Sequence, residues 1–182
     1  MSESSSYEKY HPSEVFKYCP YCGTEGFKWD GVKAFSCPSC GKRYYINEAA
    51  AVVAVIENDK QELLLTVRAR DPFKGMLDLP GGFVDLGETA EDAVRREVKE
   101  ELNLDIEQLT FFGTFPNRYI FGGIVYFTLD IVFCAKVSDF SAIKALDDVE
   151  QFRFIPLNEV NLEDIGLESI KQVVKQYIKS NH

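Results

Sequence analysis

Apolar and polar positions follow two regimes along this chain. From Ala50 onward the pattern is periodic and core-forming. The run AAVVAVIE, beginning at Ala50, suits a strand buried on both faces; Glu57 to Lys60 supplies a turn, and Gln61 to Arg68 reads as the returning strand. Asp71, Pro72 and Gly75 mark a loop, Met76 to Leu79 a short strand, and Pro80, Gly81 and Gly82 a turn. Ile106 to Phe115 and Ile124 to Val137 read as further strands, Asp147 to Glu150 as an acidic connection, and Gln151 to Ile155 as a strand stopped by Pro156. Two segments keep helical spacing instead. Ile170, Val173, Val174, Tyr177 and Ile178 line one side of a closing helix after Gly166, and Ala90, Val94, Val98 and Leu102 form the buried stripe of an earlier one. Mixed strands with helices at two separated points predict an α/β/α sandwich with a mixed sheet over residues 47–182.

Before Ala50 the periodicity is missing. Residues 1–14 are rich in Ser and Glu and predict a flexible tail. Residues 15–46 carry short aromatic stretches around two CxxC pairs, Cys19/Cys22 and Cys37/Cys40, each followed by glycine. In CPxCG the proline and glycine shape a tight knuckle whose amides can point at thiolate sulfurs, and two knuckles complete a tetrahedral S4 zinc site. Fourteen residues separate the pairs, enough for a hairpin through Trp29, Asp30 and Gly31. Four protein ligands close the coordination shell, so the zinc is expected to be structural, holding a ribbon too small for a core of its own.

Composition narrows the class. An apolar share of 46% is ordinary for a globular chain, and no apolar run reaches membrane-spanning length. The N-terminus lacks the apolar core of a secretory signal, and five cysteines, an odd number, argue for reduced thiols rather than a disulfide framework; both point to the cytoplasm. Cys134, inside an apolar run, reads as an inert buried side chain. The formal charge of −9 is uneven: residues 16–46 carry five Lys/Arg against two acids, while residues 47–182 carry almost all of the negative charge. Such a main domain does not attract nucleic acid, and polyphosphate binding would require bridging cations. The basic residues of the ribbon read as a solvated face.

The earlier helix concentrates that negative charge. Thr89 is a natural N-cap, with Glu91 and Asp92 near the positive end of the dipole. On a helical wheel Glu101 falls about 20° from Val94, Glu97 about 60° and Glu100 about 120°, all on one side, while Lys99, Arg95 and Asp92 lie on the other. Solvated glutamates in i,i+4 pairs would avoid the apolar stripe; Glu101 borders it and has no basic partner on that edge. Hard oxygen ligands on one arc suit Mg2+ or Mn2+ better than zinc or calcium.

From Gly82, five residues to Glu88, seven more to Arg96 and Glu97, then Val98, Lys99, Glu100, Glu101, Asn103 and Leu104, the chain resembles the Nudix box, G-x5-E-x7-R-E-U-x-E-E-x-G-U with U aliphatic. Asn103 stands where the pattern has glycine, and asparagine is the next most tolerant residue for the left-handed conformation that ends such a helix. The resemblance extends over LPGG, the two preceding strands and DDVEQFRFIPLNEV. It implies metal-dependent hydrolysis of a nucleoside diphosphate linked to another moiety, with Glu97, Glu100, Glu101 and the carbonyl of Gly81 binding the metal and Arg96 pairing with Glu88. The general base it implies is Glu100 on the helix or an acid on the later loop, Glu150 first and Asp148 second.

A ribbon followed by such a domain is similar in layout to the NADH pyrophosphatases, which also remove NAD caps from RNA. Their SQPWPFP-like stretch corresponds here to FFGTFPNR, which keeps only Phe115 and Pro116. ADP-ribose or a related derivative is therefore the first expectation and NADH or NAD-cap hydrolysis the alternative. Phe115, Tyr119 and Phe121 are candidates for base stacking and Arg118 for a phosphate contact. A reading of another class remains beside these, a non-catalytic nucleotide sensor with the ribbon as an interaction module. The sequence allows a homodimer without requiring one.

Overall fold

The computed structural model describes residues 7–180. These residues divide into two compact units: residues 7–48 with 118–127, and residues 49–117 with 128–180.

The first unit contains α1 (Pro12–Val15) and a three-stranded antiparallel sheet, β1 (Lys28–Trp29), β2 (Ala34–Ser36) and β3 (Arg43–Tyr45), in that order. Its core is minimal: Phe35 is fully buried, with Phe27, Cys19 and Cys37 around it and Phe16, Trp29 and Ile46 packed against them. The expected hairpin turn forms because the Asp30 carboxylate accepts the amides of Val32, Lys33 and Ala34 at 2.9–3.1 Å and pairs with Arg43 at 2.7 Å. Residues 1–6 of the expected tail lie outside the described residues. Its remainder is not aperiodic. His11 caps α1 by accepting the Ser13 amide, its ring packs edge-on against Trp29 and Phe127, and the Tyr10 carbonyl accepts the Val125 amide at 2.8 Å. These partners lie far along the chain, so local composition could not reveal them.

The second unit is built on β4 (Ala49–Ile56), the apolar run of the sequence. It pairs in parallel with β9 (Ile124–Lys136) and antiparallel with β7 (Gly81–Phe83), and β8 (Gln108–Phe121) completes a mixed sheet in the order β7-β4-β9-β8. A second, antiparallel sheet has the order β10-β5-β6, from Val149–Pro156, Glu62–Arg68 and Leu77–Asp78. The architecture is thus of the expected α/β class with a mixed sheet.

Helix α2 (Ala90–Leu102) buries Ala93, Val94, Val98 and Leu102 in one cluster with Val52, Ala54 and Ile56 of β4 and Leu64 of β5. Val53 and Val55, alternating with those residues along β4, turn to the opposite face and are buried there. Helix α3 (Glu168–Ser180) buries Ile170, Val173 and Val174 and is tied to the end of β4 by the Tyr177 hydroxyl on Glu57 at 2.9 Å. No helix among the described residues is long and apolar enough to cross a membrane. Leu102 is fully buried in the α2 cluster, so Leu102→Ala is expected to cost about 2–5 kcal/mol in urea unfolding. A loss within experimental error would mean that this end of the helix is not packed as described.

Candidate active site

Helix α2 starts and stops where its sequence dictates. Thr89 caps it by accepting the Asp92 amide at 3.1 Å, and its hydroxyl donates to the Asp92 carboxylate at 2.7 Å. Asn103 ends it in the left-handed conformation, at φ 54° and ψ 33°. Between these ends the helix turns Glu97 and Glu101 toward the turn at Gly81 and Gly82 and Arg96 toward Phe83, and leaves Glu100 exposed.

Arg96 organises this face. Its guanidinium grips Glu88 with two hydrogen bonds of 2.9 and 3.0 Å, reaches Glu97 at 2.8 Å and Glu100 at 3.2 Å, and donates to the Phe83 carbonyl at 3.0 Å. One side chain therefore ties strand β7, the loop after it and the helix together. These hydrogen bonds, Glu88 foremost, push Arg96 above its ordinary range, while the Arg96 hydrogen bond holds Glu88 below the usual carboxylate range.

Glu101 stands apart from that cation. Its carboxylate accepts the Gly81 amide at 3.0 Å. Burial pushes it well above the usual carboxylate range despite that hydrogen bond, and Asp78, Glu97 and Asp147 add repulsion. Burial raises Glu97 as well, opposed by Arg96 and assisted by Glu100 and Asp147. The turn lies close against these acids: a Cβ at Gly82 would fall 2.5 Å from the Glu97 carboxylate oxygen, which would have to shift. At Gly81, whose φ is +152°, a Cβ would strike the Val52 carbonyl oxygen at 2.0 Å. Carboxylates that repel one another, with one of them untouched by the local arginine, form a donor set suited to a hard divalent cation. Glu97 and Glu100 are meanwhile engaged by Arg96, and the three helix carboxylates are not drawn as close together as the cysteines described below.

The loop acids have separate surroundings. Glu150 is exposed at the irregularity between Val149 and Gln151 on β10, and its side chain makes no hydrogen bond or ion pair among the described residues. Asp148 pairs with Arg70 at 2.8 Å. The loop acid whose charge reaches Glu97 and Glu101 is Asp147. Asp78 also escaped attention in the sequence. It is buried on β6, pairs with Arg68 at 2.5 Å and accepts the Leu79 amide at 2.8 Å, two residues before the Gly81 turn begins. A charged residue inside the short apolar strand MLDL was the available signal.

The four cysteines of the first unit bring their sulfurs within 4.8 Å of one another, the only such cluster among the described residues. Cys19 and Cys40 sulfurs are 3.8 Å apart and those of Cys22 and Cys37 3.6 Å. Zn–S bonds of about 2.3 Å in a tetrahedron separate sulfurs by roughly 3.8 Å, so the cluster can hold a metal such as zinc. Equivalent knuckles create it: Gly23 donates to the Cys19 carbonyl at 2.9 Å and Gly41 to that of Cys37 at 3.0 Å, both glycines in the left-handed region. The Tyr21 amide points at the Cys19 sulfur at 3.4 Å, and Thr24 hydrogen bonds draw the Cys22 thiol down to about 6.

Of the expected substrate contacts, Arg118 and Tyr119 belong to the first unit and Phe115 to the second. Arg118 lines an open groove of about 720 Å³ with Tyr7, Lys9 and His11. Tyr119 stacks with Phe121. Phe115 is buried, with its ring parallel to Phe112 at 6.4 Å, as a packing residue would be.

Residues 47–177 match the family model described as the NUDIX domain. The ADP-ribose pyrophosphatase of Methanocaldococcus jannaschii is 38% identical over 139 residues, which are 75% of this chain and 77% of that protein. The NAD-capped RNA hydrolase NudC of Vibrio atlanticus is 28% identical over 150 residues, 82% of this chain and 54% of its own, so the chain spans about half of that relative's length. Among solved structures, a NUDIX hydrolase from Nitrosomonas europaea superposes with a TM-score of 0.70 at 26% identity, over 92% of this chain and 93% of that one. The NUDIX domain of Shewanella oneidensis NrtR, solved with ADP ribose, shares the fold with a TM-score of 0.61 at 21% identity, over 76% of this chain and 91% of that one. An acidic helix locked by Arg96 to the loop before it, within a mixed-sheet unit matched over nearly its whole length, identifies this chain as a member of the Nudix family.

Proposed function

We propose that this chain is a Mg2+- or Mn2+-dependent hydrolase that cleaves the pyrophosphate bond of a nucleoside diphosphate linked to another moiety, ADP-ribose or a close derivative first. The observation that carries this reading is the arrangement around Glu101: a half-buried carboxylate aimed at the Gly81 turn, beyond the reach of Arg96 and repelled by its neighbours. Glu97, Glu100, Glu101 and the Gly81 carbonyl would hold the cation. When bound, such an ion screens the pyrophosphate charge and lowers the pKa of an attacking water.

The chain's own residues do the rest. Arg96 keeps the Glu88 loop and the helix in register through its paired hydrogen bonds. Glu100, paired with Arg96 at 3.2 Å but with about half of its side chain exposed (52%), would accept the proton of the water, with Glu150 as the alternative base. The same acids argue against a pure sensor, which has no need of the full set. In the first unit the S4 cluster is proposed to hold one structural Zn2+. Unpaired thiols are in keeping with a reducing compartment, and the cytoplasm is the proposed location.

ADP-ribose is favoured because the relative that shares 38% identity carries that activity in its name. NAD-cap or NADH hydrolysis is the second reading, favoured by a similarity to NAD-capped RNA hydrolases that covers 82% of this chain. A panel of ADP-ribose, NADH, NAD-capped RNA, nucleotide sugars, dinucleoside polyphosphates and nucleoside triphosphates, with Mg2+ or Mn2+, separates them. The expected result is release of a nucleoside monophosphate, fastest from ADP-ribose. Preference for NAD-capped RNA would establish the second reading, and no turnover on any compound would leave the sensor.

A further inference from the structure

The residue that departs from the family's box pattern, Asn103, does more than end the helix. Its side-chain amide donates to the Ala142 carbonyl at 3.0 Å, across 39 residues of sequence. Two further hydrogen bonds continue the contact: the Lys144 amide donates to the Leu102 carbonyl at 3.0 Å and the Leu146 amide to the Glu101 carbonyl at 2.9 Å. Alternate residues 142, 144 and 146 thus meet 103, 102 and 101 in turn. The carbonyls at the end of a helix have no partner within it, and here the loop supplies partners for two of them. Phe140, Ile143 and Ala145 pack on the α2 cluster beneath this seam. The residue after it is Asp147, in the left-handed conformation at φ 46°, one position beyond the Leu146 amide that the Glu101 carbonyl holds. Arg70, 3.9 Å from Asp147 and 2.8 Å from Asp148, faces it from the neighbouring loop.

We propose that Asn103 is a positioning residue: its side chain fastens the 142–146 segment to the end of the acidic helix and thereby fixes Asp147, the next residue, at the end of the helix that carries Glu97 and Glu101. Glycine at this position would satisfy the left-handed backbone and nothing else, because it has no donor to reach Ala142. The role of Asp147 as part of the cation's surroundings rests on the reading of this face as a divalent-metal site.

Two variants separate the clamp from the helix stop. Asn103→Gly keeps the left-handed conformation at no steric cost, and Asn103→Asp keeps the shape but loses the donor. If Asn103 only ends the helix, glycine is neutral or stabilising. If it is the clamp, hydrogen exchange at the Lys144 and Leu146 amides of the full chain speeds up about fivefold in both variants, while Val94 and Val98 keep their protection. Mn2+ binding, titrated by electron paramagnetic resonance, weakens by about the same factor in Asn103→Gly. In an Asp147→Asn background Asn103→Gly should produce no further loss of Mn2+ affinity, because the residue it positions has lost its charge. Unchanged exchange at Lys144 and Leu146 would overturn the clamp, and full additivity with Asp147→Asn would overturn its purpose. Neither readout needs turnover. If the substrate panel shows no hydrolysis, the exchange and Mn2+ results still decide the role of Asn103, and if they fail, the hydrolase reading stands untouched.

Discussion

Glu101→Gln is expected to lower kcat by about 10³-fold or more, the equivalent of about 4 kcal/mol of stabilisation of the transition state by a correctly held cation. The fold should survive, because a glutamine oxygen can still accept the Gly81 amide where Glu101 does now. Thermal unfolding gives a sharper signature than activity alone. In metal-free protein Glu101 is a partly desolvated acid among Asp78, Glu97 and Asp147, so neutralising it should leave Tm unchanged or higher, while the rise in Tm on adding Mg2+ should shrink. The pH dependence has a definite sign. A carboxyl raised in the folded state contributes stability that is fully present below the ordinary carboxylate range and is lost as pH climbs through the raised value. That part of the slope should vanish in Glu101→Gln. A variant with a near-normal rate and an intact Mg2+ shift would refute the assignment of Glu101 to the metal.

The second large effect is expected in the first unit. Metal analysis should find about one zinc per chain, and Cys37→Ser should abolish it. Structural zinc in modules of this size contributes about 10–16 kcal/mol of folding energy, far more than the small cluster around Phe35 can replace. Trp29, the sole tryptophan, lies 5.0 Å from Phe35 and reports the outcome directly. Its emission should shift to the red in Cys37→Ser and in wild type treated with a strong chelator. The helical signal of α2 and α3, which belong to the second unit, should persist. Retention of zinc with native Trp29 emission would sink the S4 reading.

Much of this structure was legible because it rests on local rules. The stripe of Val94, Val98 and Leu102 is an outcome of helical period, and all three are fully buried. Asn103 occupies the left-handed stop expected of it. The knuckles at Cys19 and Cys37 follow from CPxCG and repeat the same hydrogen bond at Gly23 and Gly41. Strand β8 was less legible: it runs from Gln108 to Phe121, past the limit at Phe115, because the pattern weakens where its residues are only partly buried. The residues 118–127 group with the first unit although nothing in their own sequence distinguishes them.

What the sequence by itself determined is the acidic helix with its ends and the two cysteine knuckles, since each depends on residues within a few positions of one another, while the class of chemistry came through the resemblance of Gly82 to Leu104 to the Nudix box. What only the tertiary structure decided is which distant groups share a field. Asp78 lies on strand β6 and Glu101 on helix α2, Asp147 is 46 residues beyond Glu101 in number, and Ala142 meets Asn103 only because the loop folds back on the helix end. Electrostatic repulsion and hydrogen bonding act through space over a few ångströms, whereas sequence patterns record only neighbours along the chain. The box therefore marks the acidic helix, and the folded loops decide which acids surround it.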